Sequence, residues 1–157
     1  MKILGIDPGS TLMGYGVIET SGSSVRALSY GVLKIKAKAL PDKLLELSTG
    51  LKKLLTKHTP DSTGLEKLFF AKNKKTAIEV AQARGVILLG LLQANLPVTE
   101  LTPAEIKVAV TSYGAADKLM VKKMVGKILN IETLAADDNA WDALAVALAV
   151  SSHQKWG

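Results

Sequence analysis

The stretch Lys2-Ile3-Leu4-Gly5-Ile6-Asp7-Pro8-Gly9-Ser10-Thr11 decides how the chain is read. Ile3, Leu4 and Ile6 form a short apolar run that Pro8-Gly9 ends, the pattern of a buried strand stopping at a tight turn. Strand ends of this kind are where α/β proteins place reactive groups, so Asp7 is the first candidate for chemistry. The plainer alternative is a turn-forming aspartate that accepts a hydrogen bond from the amide of Gly9 or Ser10.

Outward from this strand the pattern stays α/β. Gly14 to Thr20 and Val25 to Ile35 read as second and third strands around the turn Ser21-Gly22-Ser23-Ser24, an antiparallel meander. Pro41 opens a helix with Leu44, Leu45, Leu47, Leu51, Leu54 and Leu55 on one face and Lys43, Lys52, Lys53 and Lys57 on the other. Thr63-Gly64-Leu65-Glu66 reads as the end of a central strand beside the first, and Lys67 to Lys75 as a loop. A helix from about Thr76 to Ala94 is apolar on most faces, which predicts burial on more than one side, with Gly85 and Gly90 permitting close approach to the sheet or to a second copy of the chain. Pro97 to Leu101 is a further strand. Thr102-Pro103-Ala104-Glu105 starts a helix carrying Lys107, Asp117 to Leu129 is another with Lys118, Lys122, Lys123 and Lys127 along it, and the last runs from about Asp137 to Ser151.

Length and composition bound the class. The 157 residues suit one domain spanning 1–157 with one sizeable core, and 48% apolar with 22% charged residues predicts a globular chain. With no cysteine there is neither a disulfide framework nor a thiolate metal site. No signal peptide precedes the first strand, and the longest apolar stretch, Gly85 to Leu92, is far short of the ~20 residues of a membrane span. The expectation is a soluble, cytoplasmic protein. A net charge of +6 and a pI near 9.5 favour an anionic partner, nucleic acid first, although ordinary solubility charge gives the same count.

Three carboxylates stand out. Asp142 precedes an unbroken apolar run in the last helix, and Glu66 ends the central strand; a buried acid needs a cation or a lysine as partner. Asp7 and Glu66 on neighbouring strand ends, with Asp142 reaching over from a helix, make an oxygen cluster suited to Mg²⁺ or Mn²⁺. Two such ions about 3.5–4 Å apart activate water and stabilise a leaving oxygen in phosphodiester cleavage. Asp137 and Asp138 have a simpler explanation, because a helix start favours negative charge. Phe69 and Phe70 are the only phenylalanines, set among Lys67, Lys72, Lys74 and Lys75, which suits base stacking with phosphate contacts; one aromatic plugged into the core beside solvated lysines is the alternative.

With these segments in place the chain resembles the RuvC family of bacterial Holliday junction resolvases over essentially its whole length. The resemblance rests on Gly5-Ile6-Asp7-Pro8-Gly9, Glu66-Lys67-Leu68-Phe69-Phe70-Ala71-Lys72-Asn73, Gln82-Ala83-Arg84-Gly85-Val86 and Asp142-Ala143-Leu144-Ala145-Val146-Ala147. It implies a ribonuclease H-like fold, a mixed five-stranded sheet flanked by helices. It implies a homodimer that makes paired Mg²⁺-dependent nicks in opposed strands of a four-way DNA junction during recombination and repair, with two ions per active site and Mn²⁺ as a substitute. A RuvA–RuvB branch-migration complex is a candidate partner. Asp7, Glu66 and Asp142 match three of the family's four catalytic acids. Phe69, Phe70, Lys72, Asn73 and Lys74 fall in the segment implied to contact junction DNA, and Lys107 and Lys118 match lysines implied to touch the phosphate backbone.

The fourth acid does not match. Three residues before Asp142 the family pattern has an acid or a histidine, and this chain has Asn139. Three readings are open: Asp138 supplies the ligand from one position earlier, Asn139 binds through its neutral carbonyl, or Asn139 is a near-isosteric change that silences cleavage. The last gives a rival function, a protein that binds four-way junctions without cutting them. An actin-like or sugar-kinase-like phosphotransferase shares the Asp7-Pro8-Gly9-Ser10 type of turn, but the chain is too short and has no repeat for it.

Overall fold

A computed structural model of the chain describes residues 1–67, 74–131 and 137–155, leaving aside the side chains at 74, 75, 154 and 155. The order is β1 (Lys2–Asp7), β2 (Leu12–Ser21), β3 (Ser24–Lys34), α1 (Leu40–His58), β4 (Ser62–Glu66), α2 (Lys74–Gln93), β5 (Val98–Leu101), α3 (Pro103–Thr111), α4 (Lys118–Leu129) and α5 (Asp138–Lys155). The strands form one mixed sheet in the order β3-β2-β1-β4-β5. The β1–β2 and β2–β3 pairs are antiparallel, the expected meander, and β1–β4 and β4–β5 are parallel.

Side-chain alternation along the strands divides the interior into two layers. Leu4, Ile6, Met13, Val17 and Leu65 face one side, against Leu47 and Leu51 of α1 and Ala83, Ile87 and Leu91 of α2. Ile3, Ile18 and Leu101 face the other, against α3, α4 and the nearly continuous apolar face of α5 from Trp141 to Val150. Asp7 shares the parity of Ile3, and Glu66 is one residue on from Leu65, so both acids fall on the α5 side.

A row of glycines sets how close α5 comes. Gly5 pairs with Gly16 on β2 and with Gly64 on β4. A Cβ at Gly5 would lie 2.1 Å from the Ala143 carbonyl oxygen, and one at Gly16 2.8 Å from the Leu144 nitrogen. At Gly64 it would meet Val150 at 2.6 Å, and at Gly14 the Asn139 carbonyl oxygen at 2.0 Å. The backbone of α5 therefore rests directly on the sheet, where no other residue type leaves room.

Local signals hold where backbone chemistry fixes them. Pro41 sits in the first turn of α1, and Thr102 and Glu105 form a reciprocal capping box at α3. Several expectations need correction. The second helix starts at Lys74 rather than Thr76, and the last continues past Ser151 to Lys155. Asp117 caps α4 through Met120 N at 2.7 Å rather than opening it. Leu45 is 68% exposed, whereas Lys43 leaves the solvated face to pair with Glu79 of α2 at 2.9 Å. Helix α2 is buried along one stripe only, leaving Ile78, Leu89 and Leu92 open in the single chain. Gly90 does serve a close approach, to Leu51 of α1, while a Cβ at Gly85 would meet nothing. Among the described residues no helix is long and apolar enough to cross a membrane.

Candidate active site

The sheet itself brings Asp7 and Glu66 together. The parallel β1–β4 register runs through Ile6 opposite Leu65, so the next residue on each strand, Asp7 and Glu66, ends its strand beside the other. Their carboxyl groups are hydrogen-bonded to each other. Burial, then the charges of Glu66 and Asp142, push the Asp7 carboxyl up to about 8. Burial and the charge of Asp142 also raise Glu66, while the hydrogen bond from Asp7 and the charge of Lys118 work against the rise. Two acids that share a proton in a part-buried site are a strong attractor for positive charge.

Helix α5 supplies the third acid. Asp142 is half-buried, and its Oδ2 lies 3.0 Å from Lys118 Nζ, at the first turn of α4. The same ammonium reaches Asp138 Oδ2 at 3.5 Å, and Lys122 Nζ lies 2.5 Å from Asp138 Oδ1. Burial pulls Lys118 down, but the hydrogen bond and charge of Asp142, then those of Asp138, outweigh it and hold its pKa above the usual lysine value. Asp138 goes the opposite way from Asp7: the hydrogen bond from Lys122 and the charges of both lysines hold it below the usual carboxylate range. Its side chain is 56% exposed. Asp138 is thus a partner of lysines, in a setting unlike that of the two strand-end acids.

Asn139 meets the sheet beside the strand that carries Asp7. Its backbone packs on Gly14, and Gly14 is the register partner of Asp7. Its backbone and side-chain nitrogens both donate to Asp137 Oδ1, at 3.0 and 2.8 Å.

Glu66, Lys107, Lys118 and Asp142 line one cavity of about 200 Å³, whose wall is Ile106, Val121 and Ala145. A larger one of about 650 Å³, beside Met120, Lys123 and Trp141, has none of the three carboxylates in its lining, so the smaller cavity is where chemistry is placed. Among the described residues no three acidic or histidine side chains already stand as a metal-holding group. Asp7 and Glu66 are joined, and Asp142 is near enough for its charge to raise both, but its carboxylate is turned to Lys118. Phe69, Phe70, Lys72 and Asn73 lie outside the described residues, as does the side chain of Lys74. Sequence reading places Lys122 only among the lysines along its helix; its spacing of four from Lys118, which sets both on one face, was the available signal.

The chain is similar to known proteins in both sequence and fold. The family described as crossover junction endodeoxyribonuclease RuvC matches residues 3–150. The curated relative from Syntrophomonas wolfei is 45% identical over 94% of this chain and 87% of its own length. That from Halothermothrix orenii is 43% identical over 100% and 98%. Both carry the name crossover junction endodeoxyribonuclease RuvC. Among solved structures, Thermus thermophilus RuvC superposes with a TM-score of 0.90 at 29% identity, covering 100% of this chain and 97% of that one. The same protein in complex with Holliday junction substrate gives 0.92 at 28%, covering 100% and 96%. The expected ribonuclease H-like fold, with its mixed five-stranded sheet and flanking helices, is therefore the fold observed. By sequence and by structure alike, the chain belongs to the RuvC family of crossover junction endodeoxyribonucleases.

Proposed function

We propose that this chain resolves four-way DNA junctions by paired nicks in opposed strands, acting as a homodimer in the cytoplasm during recombination and repair. The observation that carries the reading is the hydrogen-bonded pair Asp7–Glu66, with Glu66, Asp142 and Lys118 lining one cavity. The Thermus relative is seen in complex with a Holliday junction substrate, and the likeness spans this entire chain.

The donor set fits a hard divalent cation. It is all carboxylate oxygen, and burial together with mutual repulsion keeps protons on the acids that a cation would displace. Asp7, Glu66 and Asp142 would hold Mg²⁺, or Mn²⁺ in its place, two ions per site. Bound there, such ions supply an activated water and charge stabilisation at the leaving oxygen. The remaining work belongs to the protein. Lys107 and Lys118 bind the phosphate flanking the reacting bond, and Lys118 exchanges its contact with Asp142 for the phosphate. The wall of Ile106, Val121 and Ala145 limits water at the site. Phe69 and Phe70 stack on unpaired junction bases, and Lys72, Asn73 and Lys74 hold the backbone around them. The apolar stripe left open on α2 pairs with its copy, which sets two sites for two symmetric cuts. A RuvA–RuvB branch-migration complex is the partner that this family reading suggests.

The test is nicking of a synthetic four-way junction by the purified chain in Mg²⁺, in Mn²⁺ and in chelator, with Asp7→Asn alongside. Paired nicks that need the metal and vanish in Asp7→Asn support the reading; metal-independent nicks, or nicks that survive Asp7→Asn, defeat it. A second reading, junction binding with little cutting, is favoured by one observation: the neutral Asn139 lies over Gly14, next to Asp7.

A further inference from the structure

We infer that Arg84 is a positioning residue for this active site: from the far side of the sheet it clamps the backbone at Glu66 and so fixes where that carboxylate stands. The inference rests on the nuclease reading above.

Arg84 belongs to α2, in the layer opposite α5, and its side chain is only 17% exposed. Its Nε donates to the Glu66 carbonyl oxygen at 3.1 Å. A terminal nitrogen of the same guanidinium bonds Glu100 of β5 and forms an ion pair with it. Glu100 pairs with Leu65 and Leu101 with Glu66 in the β4–β5 register, and Lys67 N donates to Leu101 O at 2.7 Å. One planar group therefore spans the ends of two neighbouring strands and holds both to the helix beneath.

Glu66 is the last residue of β4. A carbonyl at a strand end needs a partner when it is shielded from water, and the guanidinium provides it. Arg84 does this without touching the reacting group, because the Glu66 side chain points to the α5 layer. Arg84 thus acts on the position of Glu66 through its backbone carbonyl. Position matters because Glu66 has to stay within hydrogen-bond reach of Asp7, and small misplacements at such sites cost large factors in rate. Arginine is required for the geometry: a lysine has one nitrogen and no fixed fork with which to hold a carbonyl and a carboxylate together.

The test compares the native chain with Arg84→Gln, Arg84→Lys and Glu100→Gln. Mn²⁺ affinity is measured by titration calorimetry, kcat and KM by junction nicking, and junction affinity in chelator. Partners behind metal ligands typically change affinity or activity about 10–100-fold when removed. Arg84→Gln is expected to weaken Mn²⁺ binding and lower kcat by about tenfold or more, with KM and junction affinity within about twofold. Arg84→Lys is expected not to restore either, and Glu100→Gln to move both in the same direction by less. A part that only stabilises the fold would lower the melting temperature and leave kcat and Mn²⁺ affinity in place. If Arg84→Lys and Glu100→Gln keep both within about twofold, the inference is overturned, whether or not Arg84→Gln folds. Failure of the native chain to nick, with Mn²⁺ still bound, counts against the nuclease reading alone, since Arg84 is still judged by the variants' Mn²⁺ affinity. A native chain that binds no Mn²⁺ overturns both.

Discussion

Lys122 Nζ lies 2.5 Å from Asp138 Oδ1, and Lys118 Nζ reaches the other oxygen at 3.5 Å. Both oxygens of Asp138 are engaged by ammonium groups on α4, which argues against Asp138 as the missing fourth ligand. Exposed ion pairs of this sort are screened by solvent and contribute little. Asp138→Asn should therefore leave Mn²⁺ affinity within about twofold and nicking within about fivefold. Asp142→Asn should lower nicking by about 10²-fold or more, as loss of a charge at a reacting centre does. Calorimetry and a junction-nicking time course read both, and equal losses in the two variants would reinstate Asp138 as a ligand.

Asn139 is the better-placed candidate for that fourth position, since its backbone covers the register partner of Asp7. If Asn139 stands in place of a catalytic acid, the two-ion site proposed above is one negative charge short, and the second ion would suffer most because it binds against the charge of the first. Asn139→Asp should raise the nicking rate by at least about tenfold in Mg²⁺ and leave junction affinity in chelator unchanged. Equal rates in the two proteins would make Asn139 a working neutral ligand.

The parts of the fold legible in the sequence are those set by neighbours along the chain. Ile3, Leu4 and Ile6 before Pro8-Gly9 announce a strand and its end, Pro41 a helix start, and Thr102 with Glu105 a cap. Asp7, Glu66 and Asp142 were legible as acids out of place at the ends of apolar segments. What depends on register between distant strands was not. Gly5, Gly16 and Gly64 form one row only after β1 has chosen β2 and β4 as neighbours. The pairings of Arg84 with Glu66 and of Lys122 with Asp138 join separate elements, 18 and 16 residues apart, with no period to reveal them. Leu45 kept the helical spacing of its apolar neighbours and still faces water, because periodicity shows which residues share a face and not how wide the covered face is.

Ile78, Leu89 and Leu92 are 67%, 56% and 55% exposed along one side of α2, and Gly85 lies between them with open space above it. An apolar stripe of this kind marks a contact surface, and a self-complementary one closes as a two-fold dimer. Light scattering of the native chain should give twice the monomer mass at micromolar concentration. Leu89→Glu should give a monomer of near-native melting temperature that still binds Mn²⁺ but makes unpaired nicks. A native monomer, or a dimer indifferent to Leu89→Glu, places the interface elsewhere.

Gly5→Ala tests the seat of α5. The new Cβ would lie 2.1 Å from the Ala143 carbonyl oxygen and 2.5 Å from the Ala147 nitrogen, backbone atoms that cannot turn aside. Overpacking a core usually destabilises by about 1–3 kcal/mol, and a backbone clash belongs at or above the upper end. The urea midpoint should fall accordingly, and Mn²⁺ binding should weaken as α5 lifts Asp142 from the strand ends. An unchanged midpoint would mean that α5 does not rest on the glycine row.

The acidity of Asp7 carries a pH dependence with a definite sign. Its carboxyl is pushed up to about 8 in the folded chain, first by burial and then by Glu66 and Asp142, against about 3.9 in an unfolded chain. Between those values the folded state keeps a proton that the unfolded state has lost, so the unfolding free energy falls as pH rises. The site's contribution is fully present below about pH 4 and is lost as pH rises through about 8. In chelator the melting temperature should therefore drop more between about pH 5 and about pH 8 for the native chain than for Asp7→Asn, whose uncharged side chain has no proton to lose. A divalent cation competes with that proton, so the stabilisation by Mg²⁺ or Mn²⁺ should grow over the same range, and nicking with it. Scanning fluorimetry of both proteins across this range, with chelator and with Mn²⁺, decides the matter. Parallel slopes for the two proteins in chelator would show that Asp7 ionises in the folded chain as it does in the unfolded one.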